Sequence, residues 1–134
     1  MNMKDIKIHS SLTEERIVDE ASLAKNVGSG SVAVFATPMM IALMEHTAAT
    51  CLNEFLDEGE TSVGVMMNTT HDAATPQGMK VSATAEIIAV DRKKVSFRIE
   101  ARDEKDVIGV AQHDRVIVGK EKFEARAAGK LEAK

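Results

Sequence analysis

Three side chains whose types suit acid–base chemistry stand out by their positions: Thr37, Glu45 and His71. On a helical wheel of residues 38–58, Glu45 falls at the centre of the apolar face, one turn after Ile41. An isolated buried carboxylate is costly, so it must be paired, reached by a cleft or protonated. Glu45 therefore either has a structural backbone or arginine partner, or acts as a general base or nucleophile.

Thr37 and His71 each allow a structural interpretation beside a chemical one. Thr37 precedes Pro38, which predicts a helix N-cap worth about 1 kcal/mol. The same helix start offers amide groups and a positive dipole end to a carbonyl oxygen that becomes anionic. His71 follows a predicted strand and polar neighbours such as Asn68, where a surface position and a hydrogen-bonded site both fit. The helix rises about 12 Å from Thr37 to Glu45, so the two act on one carbon only if subunits share the site.

One helix and a run of strands must position these groups. The patterns predict a strand over Ser11–Asp19, a loop over Glu20–Ser31, a helix over Pro38–Glu58 with its stop at Gly59, and strands over Thr61–Thr70, Val81–Ala89, Val95–Arg102 and Val107–Val118. One helix covers only one face of such an antiparallel sheet. The sequence therefore predicts a two-layer α+β fold, with residues 1–134 forming a single domain.

Composition argues against several functional classes. The 134 residues carry a net charge of −4 without a basic stripe, so no nucleic-acid partner is expected. No apolar stretch is long enough to span a membrane, and the lone cysteine, Cys51, fits a reducing compartment, so we expect a cytoplasmic location without membrane contact. Patterns such as HExxH, CxxC and GxSxG are absent, so we expect no metal site and no serine hydrolase.

Four segments resemble the fluoroacetyl-CoA thioesterase-like branch of the hot-dog superfamily: VFATPMMIALMEHTA, SVGVMMNTTHDAATPQGMKV, FRIEARD and IGVAQHDRVIV. The resemblance covers roughly residues 32–118. It implies a hot-dog fold, in which a long central helix is wrapped by a curved antiparallel sheet of about five strands. It also implies a homodimer or a dimer of dimers, with acyl-CoA bound at the subunit interface.

The resemblance assigns roles to individual residues. It implies that Thr37, Glu45 and His71 are catalytic. The substrate-binding residues that we expect are Gly64, Phe35, Asn68, His113 and Arg115. From the residues alone, a structural ion pair explains Arg115 equally well. The loop over residues 20–34 departs from the family, because it is short and poor in aromatic bulk. We therefore expect thioesterase chemistry here, but not the fluorinated substrate.

The function we expect is hydrolysis of a small or medium acyl-CoA to the free acid and CoA. Glu45 would activate water or attack directly to give a mixed anhydride, while Thr37 polarises the carbonyl and His71 assists proton transfer. No cofactor is expected, since coenzyme A is part of the substrate. The alternative is a non-hydrolytic acyl-CoA-binding module, which would have no need of a buried carboxylate.

Overall fold

The computed structural model describes residues 6–132, which contain one five-stranded antiparallel sheet. The strands are β1 (Ser11–Ile17), β2 (Glu60–His71), β3 (Lys80–Asp91), β4 (Lys94–Arg102) and β5 (Val107–Gly119). The helices are α1 (Ala24–Val27), α2 (Thr37–Asn53) and α3 (Lys120–Ala128), with short 3₁₀-helices at Glu20–Ser22 and Gly129–Leu131. The strand order is β1-β3-β4-β5-β2, so β1 and β2 are the edges.

Alternating apolar residues form the sheet and give it one buried face. On β3, Ala83 and Ala85 are fully buried, and on β4 so are Phe97 and Ile99, while the intervening side chains point to the other face. Helix α2 packs across the buried face of the sheet. The predicted two-layer α+β fold, with one long helix on about five antiparallel strands, is therefore confirmed.

Edge strand β2 contains a one-residue bulge that decides which of its side chains face α2. The pairing with β5 shifts register between Gly64 and Met66, so Val65 is the extra residue. Before the bulge the even-numbered Gly64 faces the helix side, and after it the odd-numbered residues do, His71 included. Without the bulge, the odd spacing of Gly64 and His71 would put them on opposite faces.

The N-cap of helix α2 lies one residue earlier than the sequence predicts. Ala36 has an extended conformation and is the N-cap, and its carbonyl accepts the amides of Met39 and Met40. Thr37 is the first helical residue, so its predicted N-cap role is wrong. Its hydroxyl is consequently available for a different partner.

Helix α2 also ends earlier than predicted, at Asn53 instead of Glu58. Phe55 and Leu56 continue the apolar pattern and pack against the core, but they do so from a turn after the helix. The chain reverses toward β2 at Gly59, whose φ of +85° favours glycine. The apolar pattern therefore outlasts the helical backbone.

The buried face of α2 is rotated relative to the predicted one. Glu45 is half-buried on the flank of this face, so its predicted central position is wrong. Thr47 is polar but fully buried, because its hydroxyl donates to the Leu43 carbonyl at 2.8 Å. The most deeply buried residues of the helix are Met40, Met44, Thr47, Ala48 and Leu52.

The chain ends of the fold contain helices that the sequence patterns do not predict. Helix α1 and a 3₁₀-helix occupy the predicted loop, and β1 stops at Ile17 because Asp19 caps the 3₁₀-helix through Ser22. No residue of α3 is buried, so α3 has no apolar periodicity to detect. Among residues 6–132, no helix has the length and apolar character needed to cross a bilayer.

The close approach of β5 to α2 requires glycine at position 109. A Cβ on Gly109 would lie 2.5 Å from the Thr70 carbonyl oxygen and 2.9 Å from the Met40 side chain. We expect Gly109→Ala to lower the free energy of unfolding by about 1–3 kcal/mol through overpacking. Urea unfolding measures this, with Gly129→Ala as the control because a Cβ there meets nothing within 4 Å. Equal stability of the two variants would contradict the close approach.

Candidate active site

Two of the predicted catalytic side chains meet where α2 begins and β2 ends. Thr37 Oγ1 lies 2.7 Å from His71 Nδ1. Burial lowers the pKa of His71, and the nearby Asp72 carboxylate only partly opposes this, so the ring is neutral at pH 7. The other ring nitrogen, Nε2, is buried without a hydrogen-bond partner in residues 6–132. Burying a nitrogen without a hydrogen-bond partner costs free energy, and native proteins often retain such a group because it has a catalytic role.

The start of α2 presents one available amide beside this pair. The Ala36 N–H donates to the Ser22 carbonyl, Pro38 has no N–H, and the next two amides donate to the Ala36 carbonyl. The Thr37 N–H has no acceptor within the described part of the chain. The expected set of free helix-start amides thus reduces to one, next to a hydroxyl of the same residue. Together they form a two-donor site at the positive end of the helix dipole.

A cavity of about 280 Å³ opens beside Thr37 and His71. Phe35 lines it and is otherwise buried, held by a hydrogen bond from its amide to the Thr75 carbonyl. Apart from the Asp72 carboxylate, the remaining walls are small or aliphatic residues, namely Ala24, Ser29, Gly30, Val32, Val34, Ala73 and Ala74. Gly30 in this loop has a φ of +157°. Phe35 thus lies at the border of the cavity that opens beside Thr37 and His71.

The third predicted catalytic residue, Glu45, lies apart from this pair, against β2. A Cβ on Gly64 would approach Glu45 Oε2 to 3.0 Å, His113 Cε1 to 3.1 Å and Arg115 Nη1 to 3.4 Å. A Cβ here would be tight against all three side chains, so glycine lets the carboxylate approach the strand backbone closely. Glu45, Gly64, His113 and Arg115 therefore form one cluster, as their shared selection from the sequence suggests.

A chain of hydrogen bonds fixes the basic half of this cluster. Arg115 donates from Nε to Ser62 Oγ at 2.8 Å and from Nη2 to the Ser62 carbonyl at 3.0 Å. Arg115 Nη1 lies 3.2 Å from His113 Nε2, and His113 Nδ1 lies 2.8 Å from the Met66 carbonyl oxygen. A guanidinium only donates and a carbonyl only accepts, so His113 must carry its proton on Nδ1 and accept on Nε2.

The electrostatic character of the cluster follows from these bonds. Burial lowers the pKa of His113, and the positive charge of Arg115 lowers it further. Burial also lowers the pKa of Arg115, while the Glu45 carboxylate opposes that shift. Within residues 6–132 the hydrogen bonds of Arg115 go to Ser62 and His113 and not to a carboxylate, so the structure does not contain the alternative of a structural ion pair. The guanidinium lies near Glu45 as a neighbouring cation.

One predicted site residue joins neither cluster. Asn68 points away from α2, because the bulge at Val65 shifts the alternation and places Thr69 on the helix side. The Thr69 hydroxyl lies 3.8 Å from Met44 Sδ of the helix, whereas Asn68 is exposed on the opposite face of the sheet. The structure therefore does not bring Asn68 to either cluster within one chain.

Sequence reasoning missed Ser62, which accepts two of the hydrogen bonds of Arg115. Its signal was available, since Ser62 precedes Gly64 by two residues and therefore shares its face of β2. No set of three or more potential metal ligands clusters in the part of the chain that the structure describes.

Solved structures give this arrangement a class. A fluoroacetyl-CoA thioesterase superposes with a TM-score of 0.89 at 31% identity, over 95% of this chain and 98% of that one. A hot-dog-like protein from Thermanaerovibrio acidaminovorans superposes with a TM-score of 0.86 at 20% identity, over 95% and 94% of the two chains. The fold is therefore a hot-dog fold, as the sequence resemblance implies.

Sequence comparison narrows the class to a family. A family model for fluoroacetyl-CoA-specific thioesterases matches residues 18–121. The fluoroacetyl-CoA thioesterase of Streptantibioticus cattleyicolor is 40% identical over 100 residues, which is 75% of this chain and 72% of that protein. The chain belongs to the fluoroacetyl-CoA-specific thioesterase family, whose members are thioester hydrolases.

The hydrogen-bond chain predicts the tautomer and titration of His113. Long-range ¹⁵N NMR should find Nδ1 protonated and Nε2 bare at neutral pH, with a titration midpoint below the usual histidine pKa of 6.5. Because the unfolded chain binds this proton more readily, the free energy of unfolding should fall as pH drops below about 6.5. His113→Gln removes this titration and should show a weaker pH dependence. A proton on Nε2 at neutral pH, or a midpoint at or above 6.5, would refute the assignment.

Proposed function

We propose that this chain hydrolyses a small acyl-CoA thioester to the free acid and coenzyme A. The observation that carries the proposal is the Glu45 carboxylate, which approaches the Gly64 backbone and faces Arg115. A structural carboxylate would gain more from a direct ion pair with that guanidinium, which Glu45 does not form. Membership of a thioesterase family supports the reaction type, and the small cavity beside Phe35 supports a short acyl group.

In the proposed mechanism, the start of α2 polarises the thioester carbonyl. His71 donates from Nδ1 to the Thr37 hydroxyl, which leaves the hydroxyl proton free to point at the carbonyl oxygen. The Thr37 amide supplies a second donor to the same oxygen. As the carbonyl carbon becomes tetrahedral, negative charge develops on this oxygen, where two fixed donors and the helix dipole stabilise it.

Glu45 supplies the nucleophile in this proposal. Its carboxylate removes a proton from water as the water attacks the carbonyl carbon, and the C–S bond then breaks to release CoA as a thiolate. Direct attack by the carboxylate, which gives a mixed anhydride that water then hydrolyses, uses the same group. The bare Nε2 of His71 accepts the proton that Glu45 removed from water and passes it to the thiolate sulfur. Neither route calls for a cofactor beyond the coenzyme A of the substrate.

The site in this proposal is shared between two copies of the chain. Thr37 and Glu45 are eight residues apart on one rigid helix, or about 12 Å of rise, which is too far for both to contact one carbon. Edge strand β2 exposes Val65 and Met66 beside its unpaired backbone. Antiparallel pairing of two β2 edges about a two-fold axis would bring Glu45 of one copy toward the helix start of the other.

The remaining parts of the proposal concern the chain as a whole. We propose that residues 1–134 act as one domain, as a homodimer or as a dimer of such dimers. The single cysteine, Cys51, is free and buried, which fits a reducing compartment and supports a cytoplasmic location.

Loss of either catalytic group should abolish hydrolysis. We expect Glu45→Gln and His71→Gln each to lower kcat/KM by about a hundredfold or more, as for other general acid–base groups. The measurement is thiol release from a panel of short to long acyl-CoAs, including aryl and halogenated ones. His46→Gln is the matched control, since His46 follows Glu45 on the helix but is bonded to Glu14. Acyl-CoA binding without any release by the wild type would favour the non-hydrolytic binding module.

A shared site predicts complementation between inactive chains. Mixing equal amounts of Glu45→Gln and His71→Gln chains, after dissociation and reassociation, should restore about a quarter of wild-type activity, because half of the dimers are mixed and each has one intact site. Activity that stays at the level of the separate variants, with mixed dimers present by mass spectrometry, would show that each site lies within one chain.

A further inference from the structure

A second cavity lies on the opposite side of the sheet from α2, between α3, the end of β5 and the β3–β4 turn, and has a volume of about 480 Å³. We call it the α3 groove. Val116 and Val118 form its half-buried floor, and the ring of Phe123 is 42% exposed in its wall. Its cationic lining residues are Lys93, Lys122 and Arg126.

The positive charges of the α3 groove are not neutralised within the described residues. Lys93, Lys122 and Arg126 form no ion pair with a carboxylate of residues 6–132. Two neighbouring lysines do, since Lys120 pairs with Glu124 at 2.9 Å and Lys94 approaches Asp114 at 4.0 Å. The chain has a net charge of −4, so this concentration of cations runs against its overall balance.

Helix α3 forms one wall of the groove at an energetic cost. Lys122 and Arg126 are four residues apart, so like charges are neighbours on one helix face and repel each other. Phe123 gains little from burial, since no residue of α3 is buried. An anionic ligand would relieve the repulsion between Lys122 and Arg126, and a flat ligand would cover the exposed ring of Phe123.

We propose that the α3 groove binds the phosphorylated nucleotide end of the coenzyme A substrate. A purine base stacks on the face of Phe123 over the valine floor, as bases do on exposed aromatic rings. The phosphate groups accept hydrogen bonds from the two lysines and from Arg126, whose fork suits phosphate oxygens. This inference rests on the proposed function, because that function makes an acyl-CoA the ligand.

The α3 groove lies close along the chain to the cluster of Glu45, Gly64, His113 and Arg115. Val116 follows Arg115 directly on β5, and Val118 lies about 10 Å from Arg115 along the strand. The Lys120 amide donates to the Gly59 carbonyl at 2.9 Å, which fixes α3 next to the start of β2. The flexible pantetheine arm of the substrate would pass around this end of the sheet, from the groove on one face to Glu45 on the other.

The test compares a charge-reversed groove with a matched control. The double variant Lys93→Glu/Lys122→Glu reverses two of the three groove cations, and Lys7→Glu/Lys105→Glu makes the same charge change at exposed positions elsewhere. Calorimetry measures the Kd of adenosine 3′,5′-bisphosphate, a fragment of coenzyme A. Steady-state kinetics compares an acyl-CoA with the same acyl group on pantetheine, which lacks the nucleotide.

We expect the groove variant to raise the Kd of the bisphosphate and the KM of acyl-CoA by about tenfold or more, with kcat unchanged. Its kinetics with acyl-pantetheine should match the wild type, and the control variant should match in every measurement. Phe123→Ala should also weaken bisphosphate binding, since it removes only the ring.

Several outcomes would overturn the inference. Equal bisphosphate affinity in the groove variant and the control, or no binding by the wild type, would show that the groove does not hold the nucleotide. A changed sedimentation coefficient with unchanged bisphosphate affinity would show that a second copy occupies it. The calorimetry decides the matter even if no acyl-CoA is hydrolysed, so failure of the groove and failure of the proposed enzyme function are distinguishable.

Discussion

The one-residue bulge in β2 is the constraint on which the rest of the site depends. Gly64 and His71 are separated by an odd number of residues, and only the extra residue, Val65, lets both face helix α2. The bulge has its own support, because His113 donates to the Met66 carbonyl within it and accepts from Arg115. A buried guanidinium must satisfy its donors, so Arg115 holds the two strands in a single arrangement.

The helix and the strand together divide the chemistry into two halves. The start of α2 provides hydrogen-bond donors for an oxygen that gains charge. Glu45, about two turns further along the helix, provides a carboxylate beside the cation of Arg115. A rigid helix keeps the halves apart, and the exposed edge of β2 offers a way to join them across a two-fold axis. Catalysis and association would then share one strand, so a substitution in β2 would affect both.

Much of the fold follows from the sequence because alternation on β3 and β4 is regular and the helix lacks internal breakers. The sequence does not predict which face of α2 is buried, since the Thr47 hydroxyl is hydrogen-bonded within the helix and the residue is buried like an apolar one. The orientation of Asn68 does not follow either, because a bulge leaves no clear mark in the pattern of residue types. The candidate residue types can be recognised in the sequence, but the contact of Thr37 with His71 depends on tertiary packing.

The strand order carries a consequence for how the protein folds. β3, β4 and β5 pair with their neighbours along the chain, whereas β2 pairs with β5 across about fifty residues, as for Gly64 and Arg115. Closing a long loop costs more entropy than closing a hairpin, so the three-stranded meander forms first and β2 docks later. The strand that carries Gly64 and His71 is then among the last to join. Enzymatic competence would therefore appear only at the end of folding, and partly folded chains would have no hydrolytic activity.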